Sequence, residues 1–384
     1  MKNILFISVD DLPNFANASR AVGVEVHTPN LDRLMARGTT FESAYAEATV
    51  CNPSRANVLT GTSPTTTGIF DASVDVFDVV DTRYTLPAFF QEEGYYVAMG
   101  GKVFHPATPD TSEFHEITDK IFLHSGAGES ELFDESNEFL VGKIDQENLP
   151  DFNLVNDIAD FFDSYDREQP FLVAAGIRKP HSPWTVPQEY FDMYPLDEIV
   201  LPPTIEDDYA DLPDFAHHHL LQQAPNHERV VAADYWEELV QAILAASTFA
   251  DAMVGRVLDA LEASGHGEDT TIVLWSDHGL HLGDKERWQK ASLWEQVASV
   301  PFIVVDPDHG APGSTVTTAV SLGDIFPTLA DLVGLAPPDH VEGRSLVRLL
   351  DDPASGGDGA AFTWMYGSIA VRHADYRYIR YEDG

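Results

Sequence analysis

The chain alternates short, unbroken apolar runs with stretches whose apolar residues recur at helical spacing, and this alternation restricts it to one broad architecture. Ile4–Val9, Tyr95–Met99, Phe171–Ala175, Thr271–Trp275 and Phe302–Val305 read as strands. Strands that are apolar without alternation are buried on both faces, which is the habit of parallel sheets. Between them, Leu31–Arg37, Leu86–Glu93, Leu154–Tyr165, Tyr235–Ser264 and Ser321–Val333 read as helices. Thr28 stands as N-cap of the first, with Pro29 at its opening position and Gly38 at its end. Strand and helix in alternation predict an α/β fold, a mostly parallel sheet with helices on both faces. Its 384 residues, 44% hydrophobic, are enough for one large core. Ligands in such sheets bind beyond the carboxyl ends of the strands.

The pattern changes near Ala361. Phe362–Tyr366, Ser368–Arg372 and Arg377–Tyr381 read as short strands of a meander after a linker at Gly356–Gly359. The expected division is a large α/β domain over 1–358 and a small antiparallel piece over 359–384, either short or continued past Gly384. The polar segment 106–150 reads as a long surface insertion.

Charge narrows the function. Asp and Glu number 63 against 22 Lys and Arg, a net charge of −41. A nucleic-acid partner needs a basic footprint, and none is visible. An anionic membrane surface is disfavoured on the same ground. The single cysteine excludes an intramolecular disulfide. Ile4–Val9 is too short for the apolar core of a signal peptide, and no run approaches the roughly 20 apolar residues of a membrane span. The expected location is the cytoplasm, or the periplasm or exterior if a leader precedes the chain. Lysine is scarce: Lys2, Lys102, Lys120, Lys143, Lys179, Lys285 and Lys290 are the full set. A lysine inside a motif therefore carries more information than usual.

Several such motifs follow predicted strands. Asp10-Asp11 ends the first, and adjacent carboxylates there call for a neutralising cation. Ser276-Asp277-His278-Gly279 ends Thr271–Trp275, and Gly101-Lys102-Val103-Phe104-His105 follows Tyr95–Met99. Lys179-Pro180-His181-Ser182-Pro183 follows Phe171–Ala175. Cys51-Asn52-Pro53-Ser54-Arg55 places a thiol at a helix start, where backbone N–H groups favour an anion, and Arg55 can fork onto anionic oxygens. On these features alone Cys51 is either a buried core thiol or a reactive one.

Together, Cys-x-Pro-Ser-Arg with Thr60-Gly61 after it, and the other motifs in the same order, resemble the formylglycine-dependent (type I) sulfatases, closest to the iduronate-2-sulfatase-like branch. The resemblance implies an alkaline-phosphatase-like fold and sulfate-ester hydrolysis. It implies that a maturation enzyme converts Cys51 to formylglycine, whose hydrate attacks sulfur. It makes Asp10, Asp11, Cys51, Asp277 and His278 a metal site. Oxygen-rich ligands suit Ca²⁺, with Mg²⁺ less suited here. It makes Lys102, His181 and Lys290 sulfate-binding residues, His181 a proton donor to the leaving group, His105 the residue that helps expel sulfate, and Arg55 a holder of the nucleophile. Lys290 lies in Trp288-Gln289-Lys290-Ala291-Ser292-Leu293-Trp294-Glu295, a matching context. One departure is Gly283-Asp284-Lys285, where the family carries Gly-Glu-His, so position 285 takes no catalytic role. The implied substrate is a small sulfated sugar, mono- or oligosaccharide, or uronic acid. A phosphonate or phosphate ester hydrolase, a choline sulfatase, and a non-enzymatic anion-binding protein with an intact thiol stay open. His217-His218-His219 reads as a solvated loop or a pocket lining.

Overall fold

A computed structural model describes residues 1–15, 25–105, 122–123, 141–205, 208–214, 216, 227–357 and 359–382. Most of the expected insertion at 106–150 and the histidines at 217–219 lie outside the described residues.

The sheet has eight strands. In chain order they are β1 (Asn3–Val9), β2 (Thr39–Phe41), β3 (Tyr96–Gly101), β4 (Phe122–Leu123), β5 (Phe171–Ile177), β6 (Thr270–Ser276), β7 (Phe302–Val305) and β8 (Ser314–Val316). Their spatial order is β8-β2-β7-β6-β1-β5-β3-β4. β1 lies at the centre, parallel to β5 and β6, and every residue in it is buried. β3 continues the parallel set beyond β5. β7 alone runs antiparallel, against both β6 and β2.

The side chains of β1 alternate between two cores, as the pleat requires. Leu5, Ile7 and Val9 pack on the face covered by α1 (Pro29–Arg37), α4 (Pro150–Ser164) and α5 (Trp236–Ala263). Ile4 and Phe6 pack on the face covered by α2 (Cys51–Thr60), α3 (Leu86–Glu92) and α6 (Ile325–Leu332). The fold class is the expected one.

Two local expectations need correction. Thr28 precedes α1, but its side chain makes no capping hydrogen bond. The carboxylate of Asp251 on α5 accepts from Asn30 N at 3.1 Å and Leu31 N at 2.8 Å instead. A buried carboxylate at a helix N-terminus meets both free N–H groups and the positive end of the dipole, more than a hydroxyl supplies. The predicted helix at Ser321–Val333 begins with a 3₁₀ turn at Leu322–Asp324 closed by a Ser321–Asp324 capping box.

The C-terminal strands β9 (Ala361–Met365), β10 (Ser368–His373) and β11 (Tyr376–Arg380) form a three-stranded antiparallel meander. It is tied to the segment before α2: Thr363 Oγ1 donates to Ala46 O at 2.8 Å, and Trp364 N donates to Glu47 O at 2.8 Å.

Candidate active site

The parallel register brings the motifs to one place. Val9 pairs with Ile177 on β5 and with Ser276 on β6, and Gly101 on β3 pairs with Gly176. The residues that follow, Asp10-Asp11, Arg178–His181, Asp277-His278 and Lys102, therefore leave the sheet together at its carboxyl edge. Glycine is required where β3 and β5 meet: a Cβ on Gly176 would lie 2.2 Å from the Lys102 backbone, and Gly101 has φ +70°.

α2 delivers Cys51 and Arg55 to this edge. The helix begins at Cys51 after an extended Val50, all ten of its residues are buried, and Gly61 ends it in the left-handed conformation. Ser54 Oγ donates to Asp277 O at 2.6 Å, anchoring the helix start to the end of β6.

Arg55 is fully buried, and its fork is already filled. Nε donates to Asp277 Oδ2 at 2.9 Å and Nη2 to Asp10 Oδ1 at 3.3 Å. Nη1 donates to Val103 O at 3.1 Å, to Ser8 Oγ at 3.2 Å and to Lys102 O. The anionic oxygens it meets are thus those of the two aspartates. Arg55 braces the carboxylates rather than facing an open anion site, which refines the expectation for its fork.

The other cations land on the same carboxylates. Lys102 Nζ donates to Asp10 Oδ2. Lys290 Nζ donates to Asp11 Oδ1 at 2.8 Å and to Cys51 Sγ at 2.9 Å. His278 Nε2 lies 3.2 Å from Cys51 Sγ and 3.4 Å from Asp11 Oδ1. Its Nδ1 lies 2.9 Å from Gly279 O, which turns Nε2 toward Cys51 and Asp11. Asp11 has φ +63° and is held there by Asp11 N donating to Asp277 Oδ1 at 3.0 Å.

Burial alone would raise the carboxyl pKa values. The adjacent Lys102 overcomes this at Asp10 and holds it well below the usual range. Lys290 does the same at Asp11, lowering it to about 2. Asp277 is raised, because burial outweighs the guanidinium of Arg55. Burial disfavours charge on His278, but Asp277, Cys51 and Asp11 win and lift its pKa to about 9. Lys290 is pushed well above its usual value by Asp11, against its burial.

The two remaining histidines face the other way electrostatically. Burial, with Lys290 and Lys102 nearby, pushes His181 down to about 3. Burial and Lys102 push His105 down to about 4. His181 Nδ1 lies 2.5 Å from Ser182 O, and His105 Nδ1 has no partner among the described residues. Lys179 is buried and buttresses its loop, with Nζ donating to Pro183 O. Lys285 pairs with Asp208 at 2.9 Å, so it spends its charge away from Cys51.

The donor chemistry fits a divalent cation. Ligand atoms of Asp11, Cys51, Asp277 and His278 lie within 4.8 Å of one another, as do those of Asp10, Asp11, Cys51 and His181. Three carboxylates give the set its oxygen character, which suits a hard ion. The site also fits an oxygen nucleophile in place of the thiol, since Sγ is within reach of an ammonium and an imidazole.

Sequence reasoning located every charged member of this cluster. It assigned no role to Ser8, Ser54 or Ser276, although Ser54 and Ser276 stand inside the motifs; Ser276 Oγ accepts from Leu12 N at 2.9 Å and donates to His278 O at 2.8 Å. Ser8 lies within the first strand, where a small hydroxyl residue carries no pattern of its own.

The family model described as Sulfatase matches residues 2–335. A sulfatase of Formosa agariphila is 37% identical over 409 residues, covering 100% of this chain and 79% of its own. Human iduronate 2-sulfatase is 29% identical over 410 residues, covering 90% of this chain and 73% of its own. Among solved structures, a phosphonate monoester hydrolase from Silicibacter pomeroyi superposes with a TM-score of 0.78 at 20% identity, covering 100% of this chain and 87% of that one. At that identity the last match speaks for the fold alone.

Proposed function

The chain belongs to the sulfatase family and is a sulfuric ester hydrolase, and we propose that it cleaves the sulfate ester of a small sulfated sugar or uronic acid, using a nucleophile made from Cys51. The observation that carries this reading is the surroundings of Cys51 Sγ. It sits at the start of a buried helix with Lys290 at 2.9 Å and His278 at 3.2 Å.

Formylglycine at position 51, made by a separate maturation enzyme, would supply a hydrated aldehyde with one hydroxyl to attack sulfur and one to drive sulfate release. Asp10, Asp11, Asp277 and His278, with residue 51, would hold a Ca²⁺ ion, or less readily Mg²⁺, that withdraws charge from sulfate oxygen. Every other part of the reaction falls to the chain. Lys102 and Lys290 hold the sulfate oxygens as negative charge builds on the leaving group. Ser182 O fixes Nδ1–H of His181, which leaves Nε2 toward the site. Burial is the larger cause of the low His181 pKa, and a sulfate between the two lysines offsets the rest, which favours the protonated form that can donate to the leaving oxygen. His105, neutral at pH 7, accepts the proton lost as sulfate departs. Arg55 keeps Asp10 and Asp277 aligned throughout.

The test joins mass to rate. Protein from a host with a maturation enzyme is expected to lose about 18 Da at Cys51 as the thiol becomes an aldehyde. The converted fraction should match the fraction active on 4-nitrophenyl sulfate. Active protein carrying an unconverted Cys51 would sink the mechanism. Defined sulfated mono- and disaccharides, choline sulfate and a phosphonate ester then set the substrate class. A larger kcat/KM for choline sulfate or the phosphonate overturns the sugar reading.

A further inference from the structure

Lys290 stands in an unusual stretch of backbone. Its neighbours Gln289 and Ala291 both have φ +59°, and Lys285 and Glu286 earlier in the same loop have φ +51° and +54°. A left-handed conformation costs a non-glycine residue about 1–2 kcal/mol, and it persists only where surrounding contacts impose it. Something must hold this loop, because Lys290 reaches Cys51 only from this turn.

The contacts that do so form a buried chain of three side chains. Ser292 Oγ lies 2.7 Å from His281 Nε2, and His281 Nδ1 lies 2.6 Å from Asp284 Oδ2. Asp284 Oδ1 also accepts from Leu282 N at 2.9 Å. His281 and Ser292 are fully buried, and Asp284 is 7% exposed. An ionised Asp284 accepts the Nδ1 proton, which leaves the Nε2 lone pair to accept from the Ser292 hydroxyl. The direction of each bond is then fixed. His281 also pairs with Gln289 across a two-stranded ribbon, His281–Leu282 against Trp288–Gln289. The three residues thus bracket Lys290, with Gln289 held on one side and Ser292 on the other. A second clamp is Ala291 N, which donates to Thr49 O at 3.0 Å.

The arrangement has the order of a hydrolytic Ser-His-Asp triad. Burial excludes that use, since no substrate atom reaches the Ser292 hydroxyl. We infer that Asp284, His281 and Ser292 are positioning residues that lock the Lys290 turn so that its ammonium meets the reacting sulfate. The inference rests on the proposed sulfate-holding role of Lys290.

A double-mutant cycle on mature enzyme tests it, with 4-nitrophenyl sulfate as substrate and inorganic sulfate as inhibitor. Removing a partner that orients a directly acting group commonly lowers activity about 10–100-fold, which is the loss in kcat/KM expected for Ser292→Ala. The inhibition constant of sulfate should rise in step. In the Lys290→Ala background the same change should add less than about twofold, because the group being positioned is gone. A purely structural role would lower stability, leave the sulfate constant unchanged, and cost the same factor in both backgrounds. Asp284→Asn, which keeps the volume but disturbs the proton order, should repeat the pattern and serves if Ser292→Ala does not fold. An additive cycle overturns the inference alone. A Lys290→Ala enzyme as active as the parent refutes the role of Lys290, and the inference with it.

Discussion

Glu47 precedes α2 and lies half-buried beside the buried Asp324 and the exposed Glu342. Burial, with Asp324 and Glu342 nearby, raises its pKa to about 8, against the lowering effect of hydrogen bonds from Asn57 and Ser321. Gly323 packs closely on one side of it, where a Cβ would lie 2.6 Å from Glu47 Oε1. The native state therefore keeps this proton through neutrality, whereas the unfolded chain loses it near the ordinary glutamate value of 4.5. A folded pKa above the unfolded one gives stability that is full below pH ~4.5 and lost as pH rises through ~8. The slope is about 1.4 kcal/mol per pH unit, so a shift of some 3.5 units sets an upper figure of about 5 kcal/mol. An unfolding entropy of about 2.1 cal/mol/K per residue amounts to about 0.8 kcal/mol/K for a chain this long, which makes the loss equivalent to about 6 °C in Tm. Glu47→Gln keeps the shape and carries no titrating proton. Differential scanning calorimetry of parent and variant at half-unit steps from pH 5 to 9 should give difference curves that diverge upward, the variant gaining about 6 °C relative to the parent by pH 8.5. Subtracting the parent removes the titrating groups remote from position 47, which both proteins share. A Tm difference that stays flat across this range would show that Glu47 is ionised in the fold and that the argument is wrong.

Two further outcomes follow from the site. Arg55→Ala leaves Asp10 and Asp277 buried without their guanidinium, a loss of about 3–5 kcal/mol for a broken buried pair. With the same unfolding entropy, that is about 4–6 °C in Tm by calorimetry, and an unchanged Tm would mean that the carboxylates need no such brace. Dialysis against EDTA should abolish turnover of 4-nitrophenyl sulfate and lower Tm by about 5 °C, the equivalent of about 4 kcal/mol from a cation held at roughly a thousand times its Kd. Added Ca²⁺ should restore both, and indifference of rate and Tm to the chelator would dismiss the metal.

The central strands were legible because burial on both faces leaves a signature that no other element shares. β2 and β8 were not, since three residues carry no period to read. The reversed direction of β7 was hidden for another reason: its residues, Phe-Ile-Val-Val, would suit either orientation, and only the connections decide. At the site, Asp10, Asp11, Lys102, Asp277 and His278 could be found because each follows a strand of the sheet by one or two positions, whereas Arg55 lies within α2 and was marked by its motif. Their partners could not. Arg55 meets Asp277 across 222 positions of sequence, and Glu47 owes its raised pKa to Asp324 and Glu342. The Gly283-Asp284-Lys285 departure illustrates the limit well. The sequence marks it as odd, but only the fold shows Asp284 turned inward to His281 and Lys285 turned outward to Asp208.

A chain at −41 can still hold an anion because two of its seven lysines, Lys102 and Lys290, are gathered beside Cys51. Lys102 is buried and Lys290 nearly so, the first leaving the carboxyl edge of the sheet and the second reaching it from the ribbon loop. The acidic exterior acts over a Debye length of about 8 Å at physiological salt, whereas charges inside a closed site are screened far less. The exterior therefore governs which molecules approach, and the interior governs what binds. A long polyanion must lie along the exterior and meets repulsion over its whole length, while a single sulfate on a short sugar meets it only in passing. The same separation explains why Asp10, Asp11 and Asp277 can sit beside an anion site at all: each is matched by a cation within hydrogen-bonding distance, so the cluster presents no uncompensated charge of its own.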